Sequence, residues 1–368
     1  MWEDDRRPVV PAAAMGSSPP ILVTGAAGFI GAEVCAVLTR AGCRVLGVDD
    51  LSAGDAGRLG HLPAELFELV AGDVRDQALM SALLEERPRA VLHLAARVGV
   101  RTVLEDPRGC EQENLEGVRV LAEQLRLASA GGRAPRVVAA STSEVYAESS
   151  APLGEMAPLR PARAEGRWRY AASKRLAEEI LDDAGLSRRP LHLRFFNVVG
   201  PGQDASSGMV LPRFVEAARE GRPLEVYGSG AQVRTFAHVD AVARDIAALV
   251  APETLAPSRA GILGEVGGAL NVGGTALTTI AALAELVVRL GGSSSEVQRR
   301  DPRRAVAANF EEVQRRVPDL ARARSLGLAS SALGSEPWSL EALVDDTLRR
   351  HRPVGAAAAE SVCASRAF

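Results

Sequence analysis

The chain is nearly devoid of lysine: of its 43 basic residues only Lys174 is not arginine. It also has only three tyrosines (Tyr146, Tyr170, Tyr227) and four asparagines (Asn114, Asn197, Asn271, Asn309) in 368 residues. Its four cysteines, Cys35, Cys43, Cys110 and Cys363, show no C-x-x-C pairing. Cys35 and Cys43 lie inside the first apolar segments, where a reduced buried thiol is expected, so the chain reads as cytoplasmic and without a metal site. A formal net charge of -3 gives neither a basic field for nucleic acid nor an acidic tail. No apolar run approaches the length of a membrane span. The start carries Glu3, Asp4 and Asp5 and then a Pro/Ala/Ser run, which lacks the basic and apolar regions of a signal peptide. Residues 1–19 are therefore expected to be a disordered leader, and the alanine-rich residues 353–368 a disordered tail.

Scarcity makes the survivors informative. Lys174 follows Tyr170 by four residues, which on a helix puts both on one face. An ammonium there is expected to lower the pKa of the phenol by charge proximity. A rotatable ammonium can also donate to two sugar hydroxyls, whereas a guanidinium fork is shaped for carboxylates and phosphates.

The apolar run Ile21–Thr24 is followed at once by Gly25-Ala-Ala-Gly28-Phe29-Ile30-Gly31, and then by Val34, Leu38 and Ala41 at helical spacing. Strand, glycine turn and helix together form the context of a phosphate-binding turn. Gly25 permits the tight turn, Gly28 the approach of a pyrophosphate, and Gly31 close helix–sheet packing. The next strand, Arg44–Val48, ends in Asp49-Asp50, where a carboxylate would bind ribose hydroxyls and repel a 2′-phosphate, so NAD is expected over NADP. Leu66–Val70 is a strand ending in Gly72-Asp73-Val74, positioned to flank an adenine. Gln77–Glu86 is a helix, and Ala90–Leu94 a strand running into Ala95-Ala96. A long helix over 108–129, a strand over 136–140 followed by Thr142-Ser143-Glu144, a helix over 170–184 and a strand over 191–195 leading to Asn197 complete the alternation. The period implies a parallel, doubly wound sheet with ligands at the carboxyl ends of its strands. From about Gly200 the pattern loosens into a smaller lobe. A Rossmann domain is expected over 20–198 with returning segments at about 233–272, and the second lobe over 199–232 and 273–352.

TGAAGFIG, GDVRD, HLAA, STSEVY, YxxxK, RFFNVVGPGQ, VYGSGAQVRTFAHVDAV and RRVPDLARA occur in that order from about Ile21 to Arg350. As a set they resemble the extended short-chain dehydrogenase/reductase superfamily, in its nucleotide-sugar epimerase, dehydratase and decarboxylase branch. The resemblance implies Tyr170 as general base and Lys174 as the holder of the nicotinamide ribose. It places Thr142 on the sugar 4-hydroxyl, Asn197 and Arg234 on the nucleotide diphosphate, and Val210 and Tyr227 on the substrate side. It puts Phe29, Ile30, Val74, Leu94, Ala95 and Ala96 with the glycines and aspartates around NAD. It also implies a homodimer through the helices at about 108–129 and 170–184.

Members of this branch begin by forming a 4-keto sugar. In 4,6-dehydratases an Asp follows the threonine as the acid that expels the 6-hydroxyl; here Ser143 stands there, and a serine hydroxyl is too weak an acid. The Thr-Ser-Glu pattern looks most like UDP-glucuronate decarboxylases, with Glu144 assisting at C5 and Ser143 near the carboxylate. The expected product is UDP-xylose or UDP-4-keto-xylose. A UDP-sugar 4-epimerase remains the alternative, with a 4,6-dehydratase behind it. Two departures border the sugar pocket: Ala147 where a glycine usually follows Val-Tyr, and Gly202 where an arginine is common.

Overall fold

The computed structural model describes residues 18–129, 134–301, 313–328 and 338–351. The expected leader, apart from Ser18 and Pro19, and the expected tail lie outside the described residues. Seven strands form the main sheet: β1 (Ile21–Thr24), β2 (Val45–Asp49), β3 (Phe67–Ala71), β4 (Ala90–His93), β5 (Arg136–Thr142), β6 (Leu191–Phe196) and a late strand, Gly268–Gly273. Their order is β3-β2-β1-β4-β5-β6 and then the late strand, and every pairing is parallel. β1 and β4 are buried at every position, as strands covered on both faces must be, and so they read as apolar runs up to the closing Thr24 and His93. The chain winds outward from β1 to β3 and then returns to β4 on the other side of β1. The crevice at the carboxyl ends of β1 and β4 is the switch point where such sheets take ligands.

Helices cover both faces. On one side α1 (Phe29–Arg40) packs with the later helix Val239–Val250 in one apolar cluster. On the other, α2 (Gln77–Glu85), α4 (Pro107–Ser129) and α5 (Arg169–Asp182) build a second. A short helix, α3 (Val100–Glu105), which the spacing did not suggest, precedes α4. A third cluster fills the lobe, where Leu211, Phe214, Leu283, Val287 and Leu343 are buried.

The expectation for 233–272 needs correction. Gly268–Gly273 pairs with β6 in the main sheet, while Val233–His238 pairs with Val198–Val199, Ala276–Thr279 and Arg315–Arg316 in a separate small sheet. Its backbone groups find their partners in the lobe and in the exit from β6, and a ladder once formed fixes where a segment belongs.

Candidate active site

At the switch point the chain turns so tightly that side chains have no room. Gly25 sits at φ +70°, and a Cβ on Gly31 would lie 2.0 Å from the Gly25 carbonyl oxygen. A Cβ on Gly25 would meet the Ala95 nitrogen at 2.8 Å, so the turn also closes against Leu94-Ala95 as they leave β4. The first turn of α1, from Gly28 through Phe29 and Ile30, presents its amide ends there, equivalent to about half a positive charge. Asp49 is buried at the end of β2, its oxygens accepting from Ala27 N and Leu51 N at 2.9 Å each. Asp50 is exposed and caps Ser52, so of the two aspartates Asp49 alone faces the turn. Asp73 is paired with Arg75, and Val74 lies against Gly117 of α4. Ala95 N donates to Thr24 Oγ1, which stands 2.8 Å from Nδ1 of the buried His93. A turn with glycine at 25, 28 and 31, at a helix N-terminus with a fixed carboxylate one strand away, fits a dinucleotide: the amides suit its pyrophosphate and Asp49 its ribose hydroxyls. Ala96 follows directly on the chain.

Beside it, β5 delivers Thr142 into a single 3-10 turn over Ser143–Val145, and Thr142 Oγ1 accepts from Glu144 N at 3.2 Å. α5 presents Tyr170 in its first turn and Lys174 one turn on. The Tyr170 phenol lies beside the Thr142 side chain, and Lys174 Nζ donates to the Ala140 carbonyl at 3.2 Å. Thr142 and Tyr170, both singled out in the sequence, thus stand side by side, with Lys174 one turn further along α5.

The expected lowering of the Tyr170 pKa by the ammonium is not what the protein's own groups produce. Burial raises the phenol well above its usual value, the charges of Glu144 and Cys110 add to this, and Arg316 and Thr142 only partly oppose them. Burial also brings Lys174 down to about 8, with Glu178 acting the other way. Desolvation outweighs pair attraction here, and the ammonium points to a backbone carbonyl. Because the chain has one lysine, the claim can be measured directly. Reductive methylation with a carbon-13 label should give a single side-chain resonance that titrates near 8 rather than at the ordinary lysine value. A normal pKa would show that Lys174 is better solvated than its 4 % exposure implies. The sign of the linked stability is set: between the two pKa values the unfolded chain holds more protons, so this group adds stability as pH rises through that window.

Glu144 is surrounded by cations that the sequence did not assign to the site. Arg316 Nη1 donates to its Oε1 at 3.0 Å, and Arg167 stands 3.8 Å away. Burial works against ionisation, but the charges of Arg316, Arg167 and Arg160 together hold the carboxyl below its usual range. Arg316 belongs to the RRVPDLARA segment, so its signal was present but had no address. Arg58 was also missed: from the loop after β2 it donates to the Gly202 carbonyl at 2.5 Å, and its guanidinium carbon would lie 3.8 Å from a Cβ at Gly202.

Arg234 stands opposite Arg316 in the parallel pairing of their strands and donates to the Val313 carbonyl at 2.7 Å. Asn197, in the left-handed region at φ +39°, donates to the Thr235 carbonyl at 2.8 Å. These two lie where β6 and the small sheet meet. Val210 begins the next helix of the lobe, and the Tyr227 hydroxyl accepts from Arg213 at 2.8 Å. Neither is hydrogen-bonded to the Tyr170–Glu144 group.

The profile of the NAD dependent epimerase/dehydratase family matches residues 21–264. A UDP-N-acetyl-alpha-D-glucosaminuronate decarboxylase of Bacillus cytotoxicus is 32% identical over 309 residues, covering 83% of this chain and 90% of that one. A UDP-glucuronate 4-epimerase of Thermodesulfobacterium geofontis is 36% identical over 250 residues, 63% of this chain and 71% of its own. Among solved structures, the UDP-glucuronic acid 4-epimerase of Bacillus cereus, in complex with UDP-glucuronic acid and NAD, superposes with a TM-score of 0.74 at 25% identity. That likeness covers 90% of this chain and 98% of the other.

Proposed function

We propose that this chain, which belongs to the NAD dependent epimerase/dehydratase family, is a UDP-glucuronate-type decarboxylase. It is an NAD-dependent enzyme of nucleotide-sugar modification; the uronic acid and the loss of its carboxylate are our reading. The observation that carries it is Glu144 ringed by Arg316, Arg167 and Arg160 beside Tyr170 and Thr142. A neutral sugar needs no such density of cations within reach of the C4 hydroxyl, whereas a C6 carboxylate does.

In this reading Thr142 holds the 4-hydroxyl and ionised Tyr170 takes its proton as the C4–H electron pair departs. NAD, held at the Gly25–Gly31 turn with Asp49, would supply the acceptor for that hydride and the means of its return. The sugar is then a β-keto acid. Its C5–C6 bond breaks, CO2 leaves, and the electron pair passes into an enolate whose oxygen lies beside Tyr170 and Thr142. A solvent proton goes to C5, with Glu144 placed to relay it and Ser143 near the departing carboxylate. Glu144, held ionised, also crowds a second negative charge, and that repulsion is relieved as charge moves from the carboxylate to the enolate oxygen.

Incubation with UDP-glucuronate, or its 2-acetamido counterpart, and NAD should give a product lighter by the mass of CO2. Glu144→Gln should still form the 4-keto sugar yet lose CO2 at least about a hundredfold more slowly. Unchanged mass with a new 4-epimer would establish the second reading, a uronic acid 4-epimerase. The likeness to the Thermodesulfobacterium geofontis enzyme supports that alternative.

A further inference from the structure

Two arginines are buried among the described residues, and only one of them is balanced. Arg194 is paired with Glu178 at 2.6 Å. Arg136 opens β5 at 8% exposure with no carboxylate partner among the described residues. The carboxylates whose charge acts on it, Glu253 and Glu265, are paired with Arg89 and Arg188 instead. Arg136 Nη1 donates to the Gly264 carbonyl and Nη2 to the Val266 carbonyl at 3.3 Å, while Nε has no acceptor. Carbonyls take up N–H groups but leave the charge itself uncompensated, and a buried charge of that kind is costly. Burial brings this guanidinium down to about 10, and the nearby charge of Arg188 adds to the effect.

Arg136 is also one wall of a cavity of about 180 Å³ whose lining includes Ser187, Arg188, Arg189 and Glu265. Three guanidiniums thus meet one carboxylate there. The sheet register explains the grouping. Val138 of β5 pairs with Leu191 of β6, and Leu191 with Gly268 of the late strand. Two residues earlier, the same row brings Arg136, Arg189 and Val266 together at the amino edge of the sheet. Arg189 lies against Gly268, where a Cβ would stand 3.1 Å from its Cζ. The Arg188–Glu265 pair at 2.8 Å has Glu265 71% exposed, and the Arg189–Asp182 pair at 3.3 Å has Arg189 69% exposed. Each uses one nitrogen of a five-donor fork in a solvated setting, so neither neutralises the pocket.

We infer that this pocket is a second anion site, built for a phosphate group, either free phosphate or the ester of a small metabolite, and distinct from the nucleotide-sugar cleft. A tetrahedral dianion supplies the counter-charge that Arg136 lacks and has oxygens for more than one guanidinium fork. A carboxylate brings one charge and two oxygens, fewer than this lining can use. Position separates the two sites. Thr142 closes β5 and Asn197 follows β6, whereas the pocket sits where both strands begin. At ~3.3 Å per residue, β5 puts its Arg136 end about 20 Å from its Thr142 end.

The test is calorimetric titration of the full chain with inorganic phosphate and, separately, with glucose 1-phosphate, at constant ionic strength. Saturating NAD and UDP keep both anions out of the cofactor and nucleotide sites. One site should be seen. Arg188→Gln/Arg189→Gln should weaken it roughly ten- to a hundredfold, the worth of a charge-assisted hydrogen bond, with NAD affinity unchanged as the report of an intact fold. Phosphate should also raise the urea midpoint of the wild type and leave that of the double variant in place. Phosphate binding at least as tightly as the ester would assign the site to the free ion, and tighter binding of the ester to a metabolite; either supports the site. No binding of either anion, an affinity unchanged in the double variant, or a midpoint rise that chloride reproduces at equal ionic strength would overturn it.

Discussion

Replacing Tyr170 by phenylalanine should lower turnover by about 10²- to 10⁴-fold, the usual share of a positioned acid–base group, with NAD binding nearly unchanged. Phenylalanine keeps the ring at the start of α5 and removes only the phenol oxygen beside Thr142. The size of the effect depends on which influence prevails at that oxygen. Burial, Glu144 and Cys110 all disfavour the phenolate, so the base becomes effective only when nearby positive charge compensates. Arg316 supplies part of it, and the cationic ring of bound NAD would supply more. The wild-type rate of C4 oxidation in a single turnover should therefore climb with pH as the phenolate forms, whereas Tyr170→Phe should show a low, flat profile. In Glu144→Gln the carboxylate charge that helps raise the phenol's pKa is gone, so the acid limb of that profile should shift to lower pH. Oxidation at the wild-type rate by Tyr170→Phe would take Tyr170 out of the chemistry.

The main sheet and the Tyr170–Lys174 spacing on α5 were legible for physical reasons that do not extend to the rest of the candidate site. Strands buried on both faces show as continuous apolar runs, and the glycine turn shows because any Cβ at Gly25 or Gly31 would collide with backbone. Lys174 stood out because nothing else in the chain is lysine. The same drift that exposed Lys174 hid Arg316 and Arg167, since one arginine among so many carries no mark. Arg316 also reaches Glu144 across 172 positions of sequence. Asp49 and Asp50 could not be separated because successive residues at a strand end face opposite ways, and only the actual register says which one meets the turn. The small lobe sheet was obscure for a related reason. One of its strands, Arg315–Arg316, is two residues long, and its partners come from distant segments. Local periodicity has nothing to count there.

Arg194→Met should destabilise the fold by roughly 3–5 kcal/mol, the cost of stranding a buried charge rather than of losing a surface ion pair. Arg194 rises from β6 with its side chain 5% exposed and grips Glu178 of α5 through two bonds, Nε to Oε1 at 2.9 Å and Nη2 to Oε2 at 2.6 Å. Glu178 Oε1 also accepts from Ser141 at 2.5 Å, and Arg194 Nη1 donates to the Glu155 carbonyl at 3.1 Å. The guanidinium lies 4.9 Å from the centroid of the Tyr146 ring, and the Tyr146 hydroxyl donates to Asn271 at 2.6 Å. One buried network thus joins β5, β6, the late edge strand and α5. It ends on Ser141, the neighbour of Thr142, and on Glu178, one turn beyond Lys174. Methionine matches the length of the arginine stem, so the variant keeps most of the packing and leaves Glu178 with a single hydroxyl donor. Urea midpoints should show Glu178→Gln/Arg194→Met to be more stable than Arg194→Met alone, because the double change removes the stranded charge. The deficit of the single variant should also narrow as the pH is lowered and the carboxylate is neutralised. If the double variant is no more stable, the loss belongs instead to the stacking of Arg194 on Tyr146, and the ion pair contributes orientation of Ser141 and Lys174 rather than stability.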